Sequence, residues 1–153
     1  MEDISLHILD IAENSIRAGA KKIRIEITED TKVDILTIAI IDDGKGMDIE
    51  TLKKATSPFF STKGKKIGLG LSLLAQSAKE AEGSFSIESK PDKGTKVFAS
   101  FKLSHIDRKP LGNIGETIKT LIVANPEIRF IYKQSLNKKC LFLDTGKIGK
   151  KML

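Results

Sequence analysis

Tryptophan is missing from this 153-residue chain, tyrosine occurs once, and aromatics make up only 5% of it. A stacking platform for single-stranded nucleic acid is therefore poorly supplied, and the net charge of +6 is not read as a nucleic-acid footprint. Cysteine also occurs once, as Cys140. That excludes an internal disulfide and a cysteine cluster for zinc, and within CLFLD the residue reads as an ordinary strand position. The longest uncharged apolar run, around Ile35 to Ile41, is far too short to span a bilayer. The N-terminus, MEDISLH, is acidic, and no apolar signal region or small-residue cleavage site follows it. A cytoplasmic location without membrane contact is expected.

What remains is the composition of a globular domain, with 40% hydrophobic and 30% charged residues in 16.8 kDa. Ile4 to Ala18 repeats its apolar residues at helical spacing, and Gly19 supplies a stop. Ile23, Ile25 and Ile27 alternate with polar residues as in a half-buried strand, and Ile35 to Ile41 reads as a more buried one. Asp48 is placed to cap a short helix ending near Ala55. A second helix is expected over Gly68 to Ala81, followed by strands at Ser84 to Ser89 and Lys96 to Leu103 around the turn KPDKGT. Beyond Ser104 the pattern predicts a helix over Glu116 to Val123 and a hairpin of Ile128 to Tyr132 with Cys140 to Leu143 across QSLNKK. The expected division is a domain over 1–103 and a helix-hairpin extension over 104–153.

Three segments carry candidate chemistry. On the first helix Asp10, Asn14 and Arg17 are spaced to project from one face. An asparagine oxygen can ligate Mg²⁺ without adding charge, leaving phosphates and water to complete the octahedral shell, so Asn14 is the candidate metal ligand. An ordinary polar helix surface would look the same. Asp42 ends the buried strand, with Gly44 and Gly46 after it. A carboxylate there can accept the exocyclic amino proton of adenine, and glycines let backbone approach the base. An aspartate-glycine turn is also common hairpin chemistry. Strand alternation points the neighbouring Asp43 away. Gly68 and Gly70 open a helix just after Lys63, Lys65 and Lys66. Free amides at a helix start attract phosphate, and the lysines of the 57–67 loop are expected to close over it. The alternative is a basic surface loop, with Phe59 and Phe60 anchoring it to the core.

Together these segments, LDIAENSIRAGA, IIDDGKGM and SPFFSTKGKKIGLGLSLL, resemble the asparagine, first glycine, phenylalanine and second glycine boxes of the GHKL superfamily. That superfamily comprises gyrase B, the heat-shock chaperone ATPase, MutL-type mismatch-repair ATPases and histidine kinases, and the resemblance covers roughly residues 1–103. It implies an α+β two-layer sandwich, a mixed β-sheet with helices on one face, binding ATP with Mg²⁺. ENSIRAGA resembles the mismatch-repair box, whereas SPFFSTK, GLGLSLL and ESKPDKGT resemble the histidine-kinase catalytic domain. Arg17 stands where kinases carry a basic residue that touches phosphate. Asp10 stands where hydrolytic members carry a water-activating glutamate, and is one methylene shorter. Lys66 replaces a frequent glycine. No helical dimerisation segment is expected ahead of the asparagine box.

The implied activity is transfer of the ATP γ-phosphoryl group to an unidentified partner protein in trans, with Asp10 as proton acceptor. The alternative is an ATP-gated switch or slow ATPase, with the C-terminal extension as a docking or homodimer element. SHIDRKPL, Ser104 to Leu111, resembles the kinase phosphoacceptor box. It follows the ATP-binding segments instead of preceding them, so His105 reads as a loop histidine leading off the last strand.

Overall fold

The helix expected at the N-terminus forms over Ile4–Arg17 (α1) in the computed structural model, which describes residues 3–55 and 69–146. The Asp3 side chain caps it by accepting from the Leu6 amide, and the carbonyls of Pro110 and Leu111 take the Ile4 and Ser5 amides at 2.9 Å. Donors that a free helix start would leave to water are thus met by a distant segment. Ile4, Ile8, Ile11 and Ala12 form its buried stripe.

The remaining elements are β1 (Lys22–Asp30), β2 (Ile35–Asp42), α2 (Ile49–Ala55), α3 (Leu69–Glu80), β3 (Ser84–Ser89), β4 (Thr95–Lys102), α4 (Ile114–Ala124), β5 (Arg129–Leu136) and β6 (Lys139–Asp144). The strands form one six-stranded sheet in the order β3-β4-β2-β1-β5-β6. β1 and β5 run parallel and every other neighbour pair is antiparallel, so the sheet is mixed. In register, Ile25 lies between Ile40 and Tyr132, and Ile23 beside Phe130. These side chains share the buried face with Leu36, Ile38, Val97, Ala99 and Phe101. α1, α3 and α4 close this core through Leu71, Leu74, Ala78, Ile114, Ile118 and Leu121. The opposite face carries Arg24, Glu26, Lys96 and Lys133 and stays partly open. This is the α+β two-layer sandwich the boxes implied, with a C-terminal helix and hairpin.

Three local details differ from the sequence pattern. Asn113 caps α4 by accepting from the Glu116 amide, which moves its start back to Ile114. The hairpin strands are longer and their turn shorter, because Lys133 to Leu136 pair with Lys139 to Phe142 despite their polar character. Asn137 takes the left-handed turn position at φ 54°, and its side chain accepts from the Thr31 amide. Finally, the hairpin joins the main sheet through β5 and β1, since Ile131 and Tyr132 are buried there.

Tyr132, the single tyrosine, is buried beside this join and its hydroxyl donates to Gln134 at 2.6 Å. Burial pushes its phenol from the usual 10.0 up to about 12. A raised folded value means that stability is fully present below 10.0 and is lost as pH rises toward 12. Tyrosinate absorbance should therefore titrate near 12 in the native protein and near 10 after denaturation. A native transition near 10 would place Tyr132 outside the core.

Candidate functional site

Parity along β2 decides which of two adjacent carboxylates enters the layer between sheet and helices. Asp42 lies two positions beyond buried Ile40, paired with Ile23 on one side and Thr95 on the other. Its Oδ2 accepts the Ser15 hydroxyl at 2.5 Å and its Oδ1 accepts the Gly44 amide at 2.8 Å. Asp43 turns away, and its Oδ1 accepts the amides of Lys21 and Lys22 at 2.8 and 3.0 Å. Burial raises the Asp43 pKa, but those amides and the Lys22 charge outweigh it, holding the carboxyl below its usual range.

Two turns interlock beneath Asp42. Gly46 sits at φ +68°, where a Cβ would lie 2.0 Å from the Lys90 carbonyl oxygen. Gly94 sits at φ +78°, where a Cβ would lie 2.0 Å from the Asp42 carbonyl oxygen. Either approach excludes any other residue. The Asp92 amide donates to Lys45 at 2.7 Å, the Lys45 amide to Ala18 at 2.9 Å, and the Met47 amide to the Ser89 hydroxyl at 2.8 Å.

Above this floor opens a cleft of about 520 Å³, a size suited to a small-molecule ligand. Ile11, Ile40, Met47, Leu71 and Val97 form apolar walls, while Asn14, Arg17, Asp42, Lys45 and Thr95 supply polar groups. A second depression, about 560 Å³, lies on the other side of Asp42 and Thr95. Its apolar walls reduce to Ile41 and Leu52, so it lacks the hydrophobic enclosure a base requires.

Of the expected site residues, Asn14, Arg17, Asp42 and Gly46 line the cleft. Gly44 packs behind it, its space bounded by Ala18 at 3.0 Å. Asp10 is not among the lining residues; it lies against α3, where a Cβ on Gly70 would stand 2.8 Å from its Oδ2. Lys63, Lys65, Lys66 and Gly68, with the loop expected to close over phosphate, lie outside the described residues. Ser15, Lys45 and Thr95 were not anticipated. The KGT of the β3–β4 turn was the available sign for Thr95, whereas nothing in the sequence pairs Ser15 with Asp42.

Arg17 donates to the Asn14 oxygen at 2.5 Å, and the Asn14 amide nitrogen is buried without a hydrogen-bond partner among the described residues. The oxygen therefore already faces a cation. No trio of histidine, cysteine or carboxylate side chains is grouped to hold a metal among the described residues. A magnesium ion here would take Asn14 as protein ligand and its other oxygens from phosphate and water, which fits that ion's habit. His105 accepts the Asp107 amide on Nδ1 at 3.0 Å and lies 3.1 Å from Glu82 through Nε2. Both ring nitrogens are thus engaged, as suits a loop anchor.

The site is thus a carboxylate-floored cleft between a mixed sheet and the helices on one of its faces. The chain belongs to the histidine kinase-, DNA gyrase B- and HSP90-like ATPase family, whose profile matches residues 2–105. It is 31% identical over 109 residues to a Rickettsia felis protein named as an NtrY-like sensor histidine kinase, covering 71% of this chain and 18% of that protein. It is 37% identical over 87 residues to sporulation kinase C of Bacillus subtilis, covering 57% and 20%. The chain thus spans about a fifth of the length of these relatives. The Aquifex aeolicus MutL ATPase domain, solved with ADP, shares the fold at a TM-score of 0.62 and 18% identity, covering 99% of this chain and 67% of that one. The protein therefore contains an ATP-binding, histidine kinase-like ATPase domain. Among the described residues no helix is long and apolar enough to cross a membrane.

Gly46→Ala should destabilise the fold by roughly 1–3 kcal/mol from the left-handed backbone alone, and further through the clash with the Lys90 carbonyl. Gly115→Ala in α4 is the control: its nearest obstacle is the side-chain oxygen of the capping Asn113, 3.7 Å away, so a gain of roughly 0.5–1 kcal/mol is expected. Urea unfolding of both variants checks the contrast. Equal stability would remove the interlock from the site.

Proposed function

We propose that the protein binds Mg-ATP in this cleft and passes the γ-phosphoryl group to a partner protein supplied in trans. The observation that carries the binding half is the Asp42 carboxylate, held by Ser15 and Gly44 at the end of an apolar-walled cleft. The similarity to proteins named as kinases supports the transfer half.

Asp42 accepts the adenine amino proton, and Ile40, Met47 and Val97 remove the base from water. Asn14 and Arg17, one turn apart on α1, face the phosphates, the first as metal ligand and the second as charge. Magnesium, when bound, neutralises phosphate charge and orients the γ-group. Lys63, Lys65, Lys66, Gly68 and Gly70 are assigned to the phosphate end. In the transfer, the bond from the γ-phosphorus to the bridging oxygen breaks, ADP leaves, and a new bond forms to the acceptor. Positioning and charge compensation supply most of the catalysis in such reactions. Asp10, one turn before Asn14, takes the proton when the acceptor is a hydroxyl.

Asp42→Asn should weaken ATP binding by about 1.5–3 kcal/mol, roughly tenfold to a hundredfold. Unchanged affinity in the folded variant would remove the adenine assignment. Asn14→Ala should abolish metal-dependent binding, while Asp10→Asn should spare binding and slow transfer. Incubation with γ-labelled ATP and lysate from the source organism separates the outcomes. Label on a protein supports the kinase; free phosphate alone supports an ATPase or an ATP-gated switch.

A further inference from the structure

We infer, building on the nucleotide reading of this cleft, that Ser15 is a specificity-determining positioning residue, which fixes the Asp42 carboxylate as a hydrogen-bond acceptor and so selects 6-amino over 6-oxo purines. Ser15 is 4% exposed on α1 and lines the cleft. Its single hydroxyl proton has two acceptors within reach: the Ile11 carbonyl at 3.3 Å and Asp42 Oδ2 at 2.5 Å. Bonding back to the helix carbonyl is the usual habit of a helical serine. Here the much shorter contact goes to the carboxylate.

The Gly44 amide fills the other role, donating to Oδ1. One donor on each oxygen fixes the plane of the Asp42 carboxylate and leaves further lone pairs for a ligand. A carboxylate so held presents acceptors only. The 6-amino group of adenine brings an N–H to it, whereas the 6-oxo group of hypoxanthine brings a lone pair, which is repelled. Ser15 would touch the purine only through this carboxylate, which is why its effect should appear as selectivity.

The test is calorimetric titration of the full chain with ATP and with ITP, which differ in the 6-substituent and in the N1 proton that accompanies the 6-oxo form, in the presence of Mg²⁺. The parent should prefer ATP. Ser15→Ala should lose about five- to tenfold in ATP affinity with ITP nearly unchanged, so the preference shrinks. Ser15→Cys, close in shape with a weaker donor, should fall between them and carries the test if the alanine variant does not fold. In an Asp42→Asn background, Ser15→Ala should leave the ATP-to-ITP ratio where it was, because the two residues act as a unit. An unchanged ratio in both single variants, or equal loss for both nucleotides, overturns the role of Ser15 while leaving nucleotide binding intact. A parent that binds neither nucleotide overturns the reading of the cleft itself, and Ser15 with it.

Discussion

Two backbone approaches, Gly46 against the Lys90 carbonyl and Gly94 against the Asp42 carbonyl, hold the site in its shape. Each presses a left-handed glycine onto the peptide of the other turn, so neither turn can move without the other. The Asp42 side chain extends from the peptide that Gly94 touches. The position of the acidic group in the cleft is therefore set from a turn some fifty residues further along, a coupling that side-chain hydrogen bonds of roughly 0.5–1.5 kcal/mol each could not enforce alone. Ser89 adds to it by accepting the Met47 amide while donating to the Gly94 carbonyl at 2.9 Å.

α1 connects that floor to the rest of the molecule. Its buried stripe, Ile4, Ile8, Ile11 and Ala12, packs into the core, and Asn14, Ser15 and Arg17 reach the cleft from its last turn. Burial of a large aliphatic side chain contributes roughly 1.5–3 kcal/mol, more than a polar contact returns. The apolar stripe thus sets the rotation of the helix, and the polar groups are carried into place by it. Gly70 works in the same direction from α3, since only a missing side chain lets that helix lie against Asp10. The linker before α4 then satisfies the helix start through Pro110 and Leu111, tying the C-terminal segment to the site-bearing helix.

Much of this was readable from pattern. The helical repeat of Ile4, Ile8 and Ile11, the alternation of Ile23, Ile25 and Ile27, and the cap at Asp48, whose Oδ1 accepts the Thr51 amide at 2.8 Å, are local signals with local causes. The hairpin was harder, because Lys133, Gln134 and Ser135 carry no strand pattern. They pair because β1 on one side and β6 on the other hold their backbone. Asp10 shows the limit from the other side. Its spacing to Asn14 gives a shared face, but that Gly70 of α3 would stand beside it was decided by the approach of that helix.

Residue type and spacing were enough for most of the elements, the family boxes and the opposite directions of Asp42 and Asp43, since side-chain direction along a strand or helix follows from backbone geometry alone. The serine that holds Asp42, the threonine beside it and the interlocking of the two glycine turns came only with the assembled sheet. Those contacts join residues such as Ser15 and Asp42, or Gly46 and Lys90, that are distant along the chain. No local propensity encodes which distant partner a buried hydroxyl or a bare backbone will meet; packing chooses it.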